Sequence, residues 1–285
     1  WKPSDIREEV EDQIFQRIPL HFIEGAKTGW DQVDSLYRVV LGELTVITGT
    51  PGSGKTEWLL ALLTNLAEAH DWRFGLATFE AARDQLYVQL LEKRHRRGIR
   101  SLRPREQDFD WVEDHFKVCS SGFQEMELDD LLQTAQHVCD KGRLQGIAID
   151  PYNYIDWRAS GYQSETDFVS AMLTRFKDFA QRNKCHVWLV AHPVKSNAWR
   201  SQVPSLYDIA GSAHFFNKCD MGIVLQRSFG RDGADPSELL VDVAKVRNRE
   251  AGSIGRCKLW FDSWARRYND APVAHRPEQV LAARG

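Results

Sequence analysis

One eight-residue run, GTPGSGKT at residues 49–56, restricts the fold of this chain more than any other feature of the sequence. It matches the P-loop pattern, in which glycines let successive backbone N–H groups turn toward phosphates. An apolar run, LTVITG, leads into it and a helical pattern follows it, which is the context that the pattern requires. The sequence therefore predicts an α/β nucleotide-binding fold built around this turn.

Every position of the P-loop has a predicted role. The loop that holds the phosphates of ATP, or of another nucleoside triphosphate, is formed by Gly49, Thr50, Pro51, Gly52, Ser53 and Gly54. Lys55 is expected to reach the β- and γ-phosphates, and the Thr56 hydroxyl is expected to ligate Mg²⁺. The alternative is a chance Gly-rich turn, which the flanking strand and helix disfavour.

Beyond the P-loop, short apolar runs alternate with helical patterns, which indicates a mostly parallel sheet flanked by helices. Strands are predicted at 44–49, 74–80, 146–150, 186–192, 221–227, 239–247 and 257–262, and helices at 4–18, 55–70, 81–97, 127–141 and 164–183. A Gly-bearing turn separates the last two strands and predicts a C-terminal β-hairpin. Residues 193–220 have little periodicity and are predicted to form one or two long functional loops.

The overall charge limits where a polyanion would bind. A net charge of −3 gives no basic field, so a nucleic-acid site must be a local cluster of cations. The five scattered cysteines lack a CxxC pair and predict buried, reduced thiols in an intracellular protein. The apolar runs are strand-length, so no membrane partner is expected. Because the chain begins at Trp1, it is expected to be a fragment of a longer protein.

Polar side chains end three of the predicted strands. Asp150 ends GIAID and is predicted to hold the metal; the alternative, a turn-initiating Asp before Pro151, is disfavoured by the P-loop. Glu80 ends FGLATFE, where it would either orient the attacking water or supply an acidic first helical turn, and the spacing does not decide. His192 ends HVWLVAH, where it would either contact the γ-phosphate or be an ordinary loop residue. Lys195 follows three residues later and would face the same rim.

The order of these motifs resembles the DnaB-type, RecA-fold hexameric helicases, in the branch of Twinkle and the phage primase-helicases. The resemblance is carried by TGWDQVDSLYRVVLGELTVITGTPGSGKTEWLLALL, ATFE, IAID, LVAHPVK, LYDIAGSAHFFNKCDMGIVLQR and VAKVRNREAG, over about residues 25–268. It implies a RecA-like P-loop NTPase core and an ATP-dependent helicase with Mg²⁺. The implied partners are single-stranded DNA, forked duplex DNA, further copies in a ring expected to be a hexamer, and a primase domain or protein.

The resemblance also assigns roles to single residues. Glu80 corresponds to the catalytic glutamate and His192 to the γ-phosphate sensor of this branch. Arg227 and Phe261 lie where the family sandwiches the nucleotide base.

Residues 241–249 read as a strand with a cationic face. Period-2 alternation places Val241, Val243, Lys245, Arg247 and Arg249 on one side. Such a face is typical of a solvated edge strand or of cations directed at an anion. By the resemblance, Lys245 and Arg247 are the Lys-x-Arg pair that reaches the ATP of the neighbouring subunit.

The segment LYDIAGSAHFFNKCD is similar to the family's DNA-binding loop. Gly211 and Ser212 form its small-residue turn, and Lys218 lies near its end. Phe215 and Phe216 would either stack on bases or anchor the loop in the core.

The predicted domains are a linker helix and connector at 1–24 that docks on an adjacent subunit, an ATPase domain at 25–270 and a peripheral tail at 271–285. The expected location is a bacterial or phage-infected cytoplasm, with the mitochondrial or plastid matrix as the alternative. Two other functions fit the same motifs: a RecA-type recombinase that forms filaments on DNA, and a non-catalytic module that uses nucleotide only to assemble.

Overall fold

Apolar strands linked by helices form the centre of the fold. The structure, a computed structural model, describes residues 24–121, 125–158, 161–194, 204–209, 212–227 and 235–272. The strands are β1 (Leu44–Gly49), β2 (Phe74–Thr78), β3 (Phe116–Ser121), β4 (Gly146–Asp150), β5 (His186–Val190), β6 (Met221–Arg227), β7 (Glu238–Val246), β8 (Gly255–Asp262) and β9 (Arg267–Asn269). The helices are α1 (Asp31–Asp34), α2 (Lys55–His70), α3 (Arg83–His95), α4 (Glu106–His115), α5 (Leu128–Gly142), α6 (Glu165–Asn183) and α7 (Ser212–Lys218).

These strands form one nine-stranded sheet in the order β3-β2-β4-β5-β1-β6-β7-β8-β9. The strands from β3 to β6 in that order pair in parallel, and β6, β7, β8 and β9 pair antiparallel in succession. The predicted mostly parallel α/β sheet is confirmed, and so is the hairpin of β7 and β8. A third strand, β9, extends this hairpin.

Two apolar cores cover the two faces of the sheet, and β1 contributes to both of them. Ile47 packs in the core with Trp58 of α2, whereas Leu44 and Val46 pack in the core with Phe176 of α6. Side chains of a strand alternate between faces, so a short apolar run is buried on both sides. Burying each such side chain contributes roughly 1.5–3 kcal/mol, which fixes the strand whose carboxyl end carries the P-loop.

Several element bounds differ from the sequence-based expectation. β2 ends at Thr78 and β5 at Val190, so Glu80 and His192 lie just beyond their strands. The sequence did not predict β3 or α4, and 193–220 contains α7 as well as loops. All five cysteines are buried as free thiols. The predicted helix at 4–18 and most of the tail lie outside the described residues; within them, no helix is long and apolar enough to cross a bilayer.

The predicted alternation along β7 is wrong at its end. The register between β6 and β7 shifts, so that Gly222 pairs with Lys245, Ile223 pairs with Val243, and Ala244 is an additional residue. Val243 therefore packs in the core beside α2, whereas Lys245 lies on the other face, against α7. A β-bulge of this kind reverses the facing of every later residue, and alternation in a sequence does not reveal it.

Candidate nucleotide-binding site

The P-loop joins β1 to α2 at the carboxyl edge of the parallel strands. A Cβ at Gly49 would lie 2.1 Å from the carbonyl oxygen of Leu225, so no side chain fits there. Gly54, the N-cap of α2, has φ +87°, and a Cβ there would lie 2.9 Å from Tyr268 Oη. Both positions therefore require glycine, and the turn brings backbone N–H groups to the N-terminus of α2, where phosphate binds.

Lys55 places a buried cation beside this turn. The residue is 5% exposed, and its Nζ donates to the carbonyl oxygens of Gly49 at 2.9 Å and Thr50 at 3.1 Å. Burial lowers the pKa of Lys55, and the nearby carboxylates of Asp150 and Glu80 oppose that effect. The ammonium is thus held at the loop before any phosphate arrives.

Asp150 and Thr56 form a donor set that suits a divalent cation. Asp150 Oδ1 is buried and has no hydrogen-bond partner, and the Thr56 hydroxyl bonds to the same carboxyl group. Burial raises the pKa of Asp150 to about 6, although Thr56 and Lys55 act in the opposite direction. Mg²⁺ is commonly bound by one or two protein oxygens, with phosphate and water completing its shell. The residues therefore fit a magnesium nucleotide.

Glu80 and His192 meet at the same edge. His192 Nε2 lies 3.3 Å from Glu80 Oε1. Burial lowers the pKa of His192, and Lys55 lowers it further, while Glu80 acts against both. The imidazole is therefore neutral at neutral pH and can donate one hydrogen bond to the carboxylate. The three side chains predicted at separate strand ends, those of Glu80, Asp150 and His192, therefore lie together with Lys55 in the structure.

Arg227 and Phe261 also lie at this edge, at the ends of β6 and β8. Arg227 donates to the carbonyl oxygen of Pro236 at 2.6 Å, and the Phe261 ring packs 5.1 Å from that of Tyr268. The sequence-based prediction missed Tyr268, whose hydroxyl faces the P-loop at Gly54. It belongs to the three-residue strand β9, which is too short for any periodicity to reveal.

Lys245 and Arg247 lie at the opposite edge of the sheet. The backbone N–H of Arg247 donates to the carbonyl oxygen of Asp220, whose own N–H donates to Leu44, the first residue of β1. The P-loop begins at Gly49, the last residue of that strand. Five steps of about 3.3 Å separate the two edges by roughly 17 Å, which is longer than an arginine side chain. These cations cannot reach the P-loop of their own chain.

The predicted DNA-contact residues are placed differently from one another. Lys218 Nζ donates to Ser170 O at 2.7 Å, Ser170 Oγ at 2.8 Å and Thr174 Oγ1 at 2.6 Å. An ammonium has three N–H donors, so α6 satisfies all of them. This geometry favours a structural role that joins α7 to α6. Lys195 and Gly211 lie outside the described residues, and of Ser212 only the backbone is described.

The two phenylalanines of this segment have separate environments. Phe215 is fully buried and packs 5.1 Å from Tyr152, which confirms the core-anchoring alternative for that residue. Phe216 is partly buried, stacks 4.6 Å from Tyr207 and lies 5.0 Å from Lys245 Nζ.

A glycine cradle, a buried lysine, a metal-fitting carboxylate and two polar strand ends at one edge of a parallel sheet define a P-loop nucleotide-binding domain. The chain belongs to the AAA domain family, whose profile matches residues 15–198. It is similar to the Twinkle homolog protein, chloroplastic/mitochondrial, of Arabidopsis thaliana, at 41% identity over 263 residues. That alignment covers 87% of this chain and 37% of the relative, so the chain spans little more than a third of the relative's length.

Two solved structures share the fold. The first, described as an ATPase domain, has a TM-score of 0.79 at 15% identity, and the match covers 95% of this chain and 99% of that one. The second, a DnaB-like replicative helicase described with its interactions with primase, has a TM-score of 0.75 at 16% identity, with coverage of 95% and 69%. At these identities the likeness shows the fold alone. The RecA-like core and the resemblance to Twinkle and DnaB-type proteins are confirmed.

Proposed function

We propose that this chain is the ATP-driven motor domain of a ring-forming replicative DNA helicase. One observation carries the proposal: the predicted catalytic residues are divided between the two edges of the sheet. Lys55, Glu80 and His192 lie at the P-loop edge, whereas Lys245 and Arg247 lie at the opposite edge, each hydrogen-bonded to the last turn of α7. A catalytic set divided in this way is complete only where two subunits meet head to tail, and closed head-to-tail contacts generate rings.

The residues at the P-loop edge have complementary tasks. Bound ATP with Mg²⁺ would supply the phosphate bond whose hydrolysis drives movement. The P-loop amides and Lys55 hold the phosphates, and Asp150 and Thr56 hold the metal. Glu80 orients and deprotonates the attacking water. The neutral His192 has a single N–H, which holds the Glu80 carboxylate in the free site and passes to the γ-phosphate when nucleotide binds. We further propose that Arg227 and Phe261 enclose the base.

The proposed polymer partner is single-stranded DNA in the ring channel, contacted through the segment around Lys195, Gly211 and Ser212. The DnaB-like structure is described with primase, so we include a primase domain or protein among the proposed partners. The Arabidopsis relative is described as chloroplastic/mitochondrial, which favours the mitochondrial or plastid matrix over a bacterial or phage-infected cytoplasm.

A forked duplex distinguishes this proposal from the recombinase alternative. We expect the protein to separate a labelled fork only with a hydrolysable nucleotide and Mg²⁺, and to leave the fork intact with a non-hydrolysable analogue. Homologous strand exchange between a single strand and a duplex should be absent. Strand exchange without fork unwinding would instead identify a filament-forming recombinase, and electron microscopy with an ATP analogue and single-stranded DNA would then show filaments rather than rings.

Replacing Glu80 by Gln is expected to lower ATP turnover roughly 100-fold or more, because it removes a general base and preserves the side-chain volume. Nucleotide affinity, measured with a fluorescent ATP analogue, should stay close to wild type. The matched control is Glu106→Gln, an exposed glutamate of α4. Undiminished turnover in Glu80→Gln would assign the base to another group. An absence of turnover even in the wild-type ring on DNA would favour the non-catalytic assembly module.

A further inference from the structure

One buried carboxylate that has no part in the proposed hydrolysis lies directly beside Arg247. Asp220 is 4% exposed. Its Oδ1 accepts from Lys177 Nζ at 2.6 Å and lies 3.4 Å from Arg247 Nε, and its Oδ2 accepts from the N–H of Leu44 at 3.1 Å. Asp220 therefore joins the start of β1, helix α6 and the segment that follows β7.

Arg247 is held from several directions. Its backbone N–H donates to Asp220 O at 2.9 Å, and its Nη2 donates to Asn217 O at 2.8 Å. The side chain nevertheless stays 50% exposed. It borders a cleft between α6 and α7 that Lys177 and Lys218 also line. Arg247 is thus held at its backbone and at its guanidinium while half of its side chain faces solvent. The lining of the cleft carries three cations and one acid, Asp178.

The charges at Asp220 indicate how strongly it holds the arginine. Lys177 makes the shorter contact with Oδ1, so Arg247 shares this carboxylate with a second cation. The 3.4 Å contact restrains the guanidinium while half of the Arg247 side chain stays exposed. An unrestrained arginine would lose rotamer entropy on meeting the phosphate, and a fixed orientation removes that cost before the transition state forms.

We propose that Asp220 is a positioning residue that holds Arg247 in the orientation in which it meets the nucleotide of the neighbouring subunit. This inference rests on the proposed function, in which Arg247 acts on a second copy of the chain. The competing role is inhibitory: Asp220 would bind the guanidinium and withhold it from phosphate. The two roles predict opposite changes in turnover when the carboxylate is removed.

The test is Asp220→Asn in the assembled protein on single-stranded DNA. Asparagine keeps the side-chain volume and an acceptor for the N–H of Leu44. We expect kcat for ATP to fall roughly 10- to 100-fold, because a small misplacement of a transition-state group costs about that much, while KM changes little. In mixed rings the defect should appear only at the interfaces where the Asp220→Asn subunit supplies Arg247 to its neighbour. Mixing Asp220→Asn with Lys55→Ala should restore turnover, and mixing it with Arg247→Ala should not.

Two further variants make the outcome decisive. Asp242 is also buried and holds Arg256 Nε at 2.8 Å on the neighbouring strands, so Asp242→Asn is the matched control and should keep wild-type turnover. If Asp220→Asn does not fold, the double variant Asp220→Asn with Lys177→Met removes the unpaired cation and should show the same loss of kcat.

Wild-type or faster turnover in a folded Asp220→Asn ring overturns the positioning role, and faster turnover identifies the inhibitory role. The proposed function fails separately, if Arg247→Ala itself retains full turnover.

Discussion

Replacing Lys55 by alanine is expected to lower ATP hydrolysis by roughly 10²- to 10³-fold or more and to weaken nucleotide binding. The reason lies in the preorganisation of the ammonium group. Its Nζ already sits between two P-loop carbonyl oxygens in a site that is 5% exposed, so phosphate meets a fixed, poorly hydrated cation. Electrostatic stabilisation by such a group is large because no reorganisation is needed when charge develops. Steady-state hydrolysis and equilibrium binding of a fluorescent ATP analogue measure the two effects.

Lys141→Ala provides the matched control for this experiment. Lys141 is an exposed lysine of α5, so its removal takes away the same charge from the chain without touching the P-loop. Thermal unfolding of both variants should show an intact fold, since alanine is compatible with either helix. Wild-type hydrolysis in Lys55→Ala would remove the P-loop from the proposed reaction.

The residues of the P-loop edge could be predicted because a short stretch of sequence marks each of them. Each of its strands is a continuous apolar run that ends in a polar residue, and the carboxyl ends of parallel strands meet at one edge whatever the strand order. Asp150 and His192 were therefore identifiable from short stretches, and their proximity to Lys55 followed from the sheet alone. The strand order itself, with β1 between β5 and β6, was not encoded in any single stretch.

The contacts at the opposite edge could not be predicted, because they depend on pairing between segments that are distant in the sequence. Asp220 meets Arg247 only through the register of β6 and β7, and the bulge at Ala244 decides which face Lys245 occupies. A sequence shows a cation every second residue there and no sign of the register shift. The sequence-based prediction also missed β3 and α4. For α4 the reason lies in its composition, because the helix is rich in acids, has few apolar positions and buries only Val112 and His115.

Replacing Arg247 by alanine should leave nucleotide binding intact and lower hydrolysis roughly 10³-fold or more, the range for an arginine that stabilises transferring phosphate from a second subunit. Roughly 17 Å of strand separates Arg247 from its own P-loop, so the loss should be repairable by another subunit. In a ring of head-to-tail interfaces, mixing Arg247→Ala with Lys55→Ala at equal amounts creates complete sites at about a quarter of the interfaces. Hydrolysis by the mixture should therefore rise well above that of either variant alone.

The control mixture combines Lys55→Ala with Asp150→Asn. Both lesions lie at the same edge, so no interface in that mixture becomes complete and hydrolysis should stay low. If the Arg247→Ala mixture stays equally low although mixed rings form, the arginine does not act across the interface. Rescue in the first mixture alone would show that one chain supplies the P-loop while its neighbour supplies the cation. An isolated subunit would then hydrolyse ATP poorly because it holds the two halves of the site on opposite edges of a single sheet.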